Sequence, residues 1–223
     1  MPRAWAFCVT NRLTLRPPGL GCPSGVFLPF GMQTEFERTL VTREQIAGRV
    51  RELGRRIADD LAADLARDRA LGAAPGKVVL IPVLTGALIF AADLVREIPL
   101  KLALRVVAVS SYPGASMASK GATLASELPT DLRGAHVVIL DDILDSGQTL
   151  GLLRELIERQ RPATVRCAVL LKKPDSVRKR HVDVEYVGFE IPDAFVVGYG
   201  LDYDGYYRNH PEIATLRIDA TAS

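Results

Sequence analysis

Short apolar runs separated by segments of helical periodicity fill the middle of the chain, and they constrain the fold more than any other feature. The runs at 77–84, 102–109, 137–140 and 165–171 are predominantly apolar, which is typical of strands that are covered on both faces. Strands that alternate with helices form parallel sheets, because each helix carries the chain back across the sheet. We therefore predict an α/β fold with a mostly parallel central sheet flanked by helices.

Three segments have the period of an amphipathic helix. The first begins at Thr42, where Thr-Arg-Glu-Gln has the form of a capping box, and its apolar residues recur every three or four positions as far as Leu65. The other two are predicted at 87–97 and at 149–160, where Arg161-Pro162 ends the helix. In the 87–97 helix we expect the inward face to consist of Leu88, Ala91, Ala92 and Val95.

One long segment, residues 111–130, has little periodicity and is rich in Ser, Ala, Gly and Thr. Loops of this length inside a compact domain are usually functional lids or disordered segments. Two further short strands are predicted after it, at 186–189 and 195–199, where aromatic and β-branched residues cluster.

The N-terminal segment differs in composition from the remainder. Residues 1–33 have no sustained period and are broken repeatedly by Pro and Gly. We predict that they form a flexible extension, with Met32 as an alternative start, and that residues 34–223 form a single domain. A chain of 223 residues with 48% hydrophobic and 24% charged residues has an ordinary globular composition.

Charge and cysteine content exclude some classes of function. The net charge is +2, and three arginines without an acid lie in the first 34 residues, so the rest is close to neutral. Charge alone therefore predicts no binding to nucleic acid or to a membrane surface. No apolar run is long enough to span a bilayer. Three cysteines without C-x-x-C spacing favour a reducing, cytoplasmic setting.

The string VVILDDILDSGQT, residues 137–149, carries the clearest chemical signal. Asp141 and Asp142 stand at the carboxyl end of a predicted strand, where ligands bind in parallel α/β sheets. A helix follows directly, and its N-terminal amides, with the hydroxyls of Ser146 and Thr149, favour an anion. Phosphate in the loop and a diol or Mg²⁺ on the carboxylates would suit a phosphorylated ribose. On spacing alone, an equally good alternative to a phosphoribose site is that the two aspartates lie in a solvated loop and Ser-Gly forms a plain turn.

The longer string VVILDDILDSGQTL resembles the phosphoribosyl-pyrophosphate (PRPP) signature of the type I phosphoribosyltransferases. More specific is VGFEIPDAFVVGYGLDYDGYYRN at 187–209, which is similar to the hypoxanthine-guanine phosphoribosyltransferases, as are LLKKP at 170–174 and SSY at 110–112. The resemblance covers about residues 40–216. It implies the type I phosphoribosyltransferase fold, with a small hood and a mobile loop. It also implies transfer of phosphoribose from PRPP to hypoxanthine or guanine, with Mg²⁺, in a homodimer or homotetramer.

The resemblance assigns roles to the PRPP signature. Asp145 matches the residue beside purine N7 that is proposed as the general base. Asp141 and Asp142 match the acidic pair that meets the ribose hydroxyls and the associated Mg²⁺, although the family usually has Glu-Asp there. The 5′-phosphate loop is matched by Ser146, Gly147, Gln148 and Thr149.

Further matches concern the purine and the metal. Lys173 matches the lysine that donates to the 6-oxo group, whereas Lys172 is expected to be a solvated charge. Phe195 matches the aromatic residue that stacks on the base, although packing in the core is the more usual role of Phe. Val196 offers its backbone to the base edge. Asp202 matches a Mg²⁺ ligand and Arg208 a pyrophosphate contact.

The turn formed by Leu84, Thr85 and Gly86 matches the pyrophosphate loop, where the family tends to have a cis peptide. Thr85 stands where the family commonly has Lys or Arg, so a charge is missing near the leaving group. Ser111 and Tyr112 open the segment that matches the mobile loop, which would keep water from the reacting centre when it closes.

Three alternatives stay open beside this assignment. A regulatory protein of the same fold could bind PRPP without catalysis, although we would expect it to carry a basic face or an added DNA-binding domain. Transferases for adenine, orotate or uracil share the phosphate loop but should lack the 187–209 string. A degenerate enzyme with a structural role is the third alternative.

Overall fold

The computed structural model describes residues 35–74, 76–110 and 123–217. The predicted N-terminal extension and the start of the predicted mobile loop, with Ser111 and Tyr112, lie outside these ranges. None of the described helices is both long and apolar enough to cross a membrane.

The described chain contains ten strands and three α-helices, together with short 3-10 helices at Val95–Glu97 and Asp175–Val177. In chain order the elements are β1 (Phe36–Val41), α1 (Arg43–Ala70), β2 (Val78–Leu84), α2 (Leu88–Leu94), β3 (Leu102–Leu104), β4 (Val107–Ser110), β5 (Thr123–Leu124), β6 (His136–Leu144), α3 (Gln148–Glu158), β7 (Thr164–Lys172), β8 (Tyr186–Glu190), β9 (Val196–Val197) and β10 (Ile213–Leu216).

The central sheet is mostly parallel, as predicted. Its strand order is β5-β4-β2-β6-β7-β8, and β3 pairs with the first half of β2. All these pairings are parallel except that of the short strand β5 with β4. The run predicted as one strand at 102–109 is two strands, which pair with successive parts of β2. The adjacent strands β2 and β6 therefore bring their carboxyl ends to the same edge of the sheet.

Helices cover both faces of this sheet. The helices α1 and α2 pack on one face, in a core that includes Leu53 of α1, Leu80 of β2 and Leu140 of β6. The helix α3 packs on the other face, in a core that includes its own Leu153 and Ile139 of β6. Because alternate residues of β2 and β6 enter opposite cores, β2 and residues 137–140 of β6 are continuously apolar. The predicted capping box of α1 is confirmed by reciprocal hydrogen bonds between Thr42 and Gln45.

The inward face predicted for α2 is partly wrong. Ala91 is buried as expected, but the other buried residues are Phe90 and Leu94, while Leu88 is 51% exposed and Ala92 is exposed. The segment is apolar on several sides, so its periodicity does not define one face.

A separate three-stranded antiparallel sheet has the order β1-β10-β9. It joins the segment before α1 to the C-terminal part of the described chain; β9 and β10 are largely buried, whereas β1 is mostly exposed. The strands β1 and β10 were not predicted from the sequence, and the strand predicted at 195–199 is limited to Val196–Val197. This second sheet carries the segment that follows Phe195, so it positions the residues expected to hold the purine.

Candidate active site

The carboxyl ends of β2 and β6 and the N-terminus of α3 surround a cavity of about 430 Å³. The sequence-predicted residues that line this cavity are Leu84, Gly86, Asp141, Asp142, Asp145, Ser146, Gly147, Gln148 and Thr149. The structure therefore brings the predicted pyrophosphate turn, acidic pair and phosphate loop to one place. This location is the one expected for a ligand site in a parallel α/β sheet.

The two adjacent aspartates are held at the end of β6 by backbone amides. The amide of Asp142 donates to Asp141 Oδ1 at 3.1 Å, and the amide of Ile143 donates to Asp142 Oδ1 at 2.9 Å. Burial and the neighbouring charge of Asp142 raise the pKa of Asp141 well above its usual value, and burial also raises the pKa of Asp142. Such a pair gains from a bound cation or from hydroxyl donors, because either one stabilises the charged form.

The phosphate loop connects β6 to α3 through Gly147, which has a φ of 78° and immediately precedes the helix. A glycine is required there on two grounds, since a left-handed backbone is strained for other residues and an added Cβ would lie 2.2 Å from the carbonyl oxygen of Arg180. The amides of Lys179 and Arg180 both donate to the carbonyl oxygen of Ser146 at 3.0 Å. The loop is therefore supported from behind while α3 directs its N-terminal amides toward the cavity.

Arg178 is part of this support and was not predicted from the sequence. Its side chain is almost buried, and Nη2 donates to the carbonyl oxygen of Lys173 at 3.0 Å and to Asp175 Oδ1 at 3.2 Å. An added Cβ on Gly147 would also lie 3.0 Å from Arg178 Cδ. Arg178 thus connects the phosphate loop to the backbone of Lys173. In the sequence it stands in a basic run, Arg-Lys-Arg, which resembles a solvated surface segment.

Lys173 follows β7 directly, and its amide donates to the carbonyl oxygen of Leu144 at 3.0 Å. This bond places the side chain beside the end of β6, where Nζ lies 3.7 Å from Asp145 Oδ2 and 3.1 Å from Asp193 Oδ1. The side chain of Lys173 is only 13% exposed. The adjacent Lys172 instead reaches Glu190 on β8, at 3.4 Å. Asp193 was not identified from the sequence.

Phe195 is 56% exposed and contacts Tyr203 edge-on, with ring centroids 5.5 Å apart. The alternative that Phe195 packs in the core is therefore wrong, and its ring has a face available for a ligand. Val196 is buried, and its backbone belongs to β9, which pairs with β10.

Asp202 and Arg208 form an ion pair, with Asp202 Oδ1 2.7 Å from Arg208 Nη2. The amide of Gly205 also donates to Asp202 Oδ2 at 2.8 Å, and Arg208 Nη1 donates to the carbonyl oxygen of Gly200. Both side chains are thus occupied by partners within their own segment. The charge of Arg208 also acts on Asp142, whose pKa it lowers against the larger effect of burial.

The pyrophosphate turn is packed tightly between two segments. The peptide bond between Leu84 and Thr85 is cis, as the resemblance implies. A Cβ on Gly86 would lie 1.8 Å from Asp142 Oδ2, and a Cβ on Gly200 would lie 2.3 Å from the carbonyl oxygen of Gly86. The glycines at both positions therefore allow the turn to lie against the acidic pair. The side chain of Thr85 is exposed.

Most of the chain also matches known proteins of one family. Residues 51–204 match the family described as phosphoribosyl transferase domain. The chain is 43% identical over 185 residues to the hypoxanthine-guanine phosphoribosyltransferase of Mycobacterium avium, with 82% of this chain and 86% of that protein covered. It is 37% identical over 186 residues to the protein of the same name from Bacillus subtilis, with 83% and 96% covered.

Solved structures agree with these sequence matches. A crystal structure of a hypoxanthine phosphoribosyltransferase from Staphylococcus aureus superimposes with a TM-score of 0.75 at 32% identity, covering 86% of this chain and 97% of that one. The predicted α/β fold is therefore confirmed.

Proposed function

The chain belongs to the family of the hypoxanthine-guanine phosphoribosyltransferases, and we propose that it transfers the 5-phosphoribosyl group of PRPP to hypoxanthine and guanine. One observation carries this proposal beyond the family resemblance. The ammonium of Lys173 lies 3.7 Å from the carboxylate of Asp145, which lines the cavity. A donor beside an acceptor complements the 6-oxo group and the N7 proton, which lie on the same edge of a 6-oxopurine.

The remaining groups fit the sugar and its phosphates. The N-terminal amides of α3, with Ser146 and Thr149, would hold the 5′-phosphate. The hydroxyls of the ribose would donate to Asp141 and Asp142. Phe195 would cover one face of the base, because its ring is exposed two residues after Asp193, which contacts Lys173.

The reaction forms one bond and breaks another at C1′ of the ribose. Purine N9 forms its bond to C1′ while the bond from C1′ to the pyrophosphate oxygen breaks, and the electron pair leaves with pyrophosphate. The N7 proton becomes more acidic as N9 donates, and Asp145 accepts it. Lys173 donates to the 6-oxo group, and Arg208 faces the pyrophosphate.

Mg²⁺ fits the residues at this site. The described residues contain no cluster of three or more potential metal ligands, but Mg²⁺ is commonly held by one or two carboxylates together with waters and substrate phosphates. Asp141 and Asp142, whose pKa values burial raises, supply such carboxylates. Asp202 could contribute if it exchanged its contact with Gly205 or Arg208. Bound Mg²⁺ would neutralise charge on the pyrophosphate leaving group.

The proposal is tested by an assay of purified protein with PRPP, Mg²⁺ and one base at a time, following pyrophosphate release. Hypoxanthine and guanine should be used, and adenine poorly or not at all, because the ammonium of Lys173 only donates and cannot accept from an amino group. PRPP binding without turnover of any base would favour the regulatory alternative. Adenine as the best substrate would contradict the role given to Lys173.

A separate prediction concerns the effect of Thr85 on binding of PRPP through its pyrophosphate, the leaving group. Replacing Thr85 with lysine should lower the KM for PRPP by about fivefold at low salt, since one partly solvated charge pair contributes up to about 1 kcal/mol. The effect should shrink as salt is added. Thr85→Gln is the matched control, because it adds length without charge. An unchanged KM in Thr85→Lys would mean that backbone amides alone make this contact.

The same family membership supports three further proposals. We propose that residues 1–33 are an extension to the catalytic domain at 34–223, since the match to the family covers 51–204. We also propose that the chain assembles as a homodimer or homotetramer and acts in the cytoplasm. Light scattering on the purified protein tests the assembly.

A further inference from the structure

We propose that Asp193 is a positioning residue that holds the ammonium of Lys173 and keeps it from closing on Asp145. The proposal rests on the proposed function, in which Lys173 recognises the 6-oxo group and Asp145 accepts the N7 proton. It adds a third residue that determines the position of the Lys173 ammonium relative to Asp145.

The distances around Lys173 Nζ are unequal. Asp193 Oδ1 lies at 3.1 Å, within hydrogen-bonding distance, whereas Asp145 Oδ2 lies at 3.7 Å, beyond it. An ammonium has three donors, so one donor serves Asp193 and others remain for the purine oxygen. The side chain of Lys173 is only 13% exposed. If a carboxylate partner were removed, water could therefore replace little of the hydrogen bonding that the ammonium would lose.

The backbone around Asp193 is fixed relative to Lys173. The amide of Ile191 donates to the carbonyl oxygen of Lys172 at 2.9 Å, which ties the end of β8 to the end of β7. The amide of Ala194 donates to the carbonyl oxygen of Pro192 at 2.9 Å, so a tight turn presents Asp193. This turn leads directly into Phe195. Asp193 therefore holds Nζ from an anchored position beside the exposed aromatic ring.

Loss of the Asp193 charge would leave Asp145 as the nearest carboxylate to a largely shielded ammonium. Nζ would then be expected to move toward Asp145, since this carboxylate lies within 4 Å and opposite charges attract. Asp145 would enter a full ion pair and become a poorer acceptor for the N7 proton. The same movement would draw Nζ away from the 6-oxo group, so both contacts to the purine would weaken together.

Asp193→Asn is the variant that tests this inference, because it keeps the shape and removes the charge. We expect kcat with hypoxanthine to fall about tenfold, a fraction of what a general base contributes. The KM for PRPP should remain within about twofold, because the phosphate loop is untouched. Asp193→Glu should recover most of kcat. The melting temperature should not change, since the Asp193 side chain is 57% exposed.

Glu190→Gln is the matched control. Glu190 pairs with the neighbouring Lys172 at 3.4 Å, so this variant removes an acid from an adjacent lysine without touching Lys173, and it should keep wild-type kcat. In a Lys173→Met background, Asp193→Asn should cause no further loss, as expected for residues that act through one contact.

Wild-type kcat in Asp193→Asn, an equal loss in Glu190→Gln, or additive losses with Lys173→Met would each overturn the inference. A wild-type protein that turns over no base would instead contradict the proposed function, so the two failures are distinguishable.

Discussion

Replacing Asp145 with asparagine should lower kcat by about 10²–10⁴-fold, which is the usual contribution of a positioned general base. Asparagine preserves the shape of the side chain but is a poor proton acceptor. The KM for PRPP should change little, because the phosphate is expected to bind the amides that follow Asp145 rather than its carboxylate. Steady-state kinetics with hypoxanthine and PRPP varied in turn would separate the two parameters.

Asp183→Asn provides a control for this change. Asp183 is exposed and its side chain contacts His181 at 3.2 Å on the segment behind α3. Its kinetics should match those of the wild type. An Asp145→Asn enzyme that kept most of its kcat would exclude Asp145 as the base. A variant that lost PRPP binding alone would place Asp145 among the phosphate-binding residues.

The central sheet could be predicted because its strands are buried on both faces. Burial of this kind leaves a continuous apolar run, and β2, β6 and β7 all show one. The edge and hood strands leave no such signal. β1, with the sequence FERTLV, is mostly exposed, and its partner β10 lies more than 170 residues away in the sequence. Pairing over that distance depends on the complete fold.

The residues of the site divide in a similar way. Asp141, Asp142 and the phosphate loop are contiguous in the sequence, and one strand end followed by one helix start places them together. Asp193 and Arg178 are charged residues in loop segments, and such residues are usually solvated. What makes them specific is their contact with the side chain or carbonyl of Lys173. That contact follows from the parallel pairing of β7 with β6 and β8, which no local motif encodes.

The packing against the turn after β2 could not be predicted from the sequence either. It leads to the second prediction of a large effect. An alanine Cβ at position 86 would lie 1.8 Å from Asp142 Oδ2 and 2.5 Å from its Cγ. The turn cannot simply move away on its other side, because the carbonyl oxygen of Gly86 lies close to Gly200. Asp142 would therefore have to rotate, giving up its hydrogen bond from the amide of Ile143.

Gly86→Ala should therefore lower kcat/KM for PRPP by at least about 100-fold, since displacement of a positioning group by about 1 Å can cost that much. The cost in stability should be smaller, about 1–3 kcal/mol, as is typical of one extra methyl group in a packed region. Gly48→Ala is the matched control in α1, where an added Cβ meets no atom within 4 Å. That change should leave activity intact and raise stability by about 0.5–1 kcal/mol.

The two glycine variants separate a local effect on the acidic pair from a general effect on the fold. If Gly86→Ala loses activity while chemical denaturation shows a largely intact domain, the loss arises from displacement of Asp142 or of the turn. A wild-type KM for PRPP in Gly86→Ala would mean that the contact between Asp142 and the turn does not contribute to substrate binding. The acidic pair would then have to act through its other oxygens, and the tight packing at Gly86 would serve only to close the end of β2.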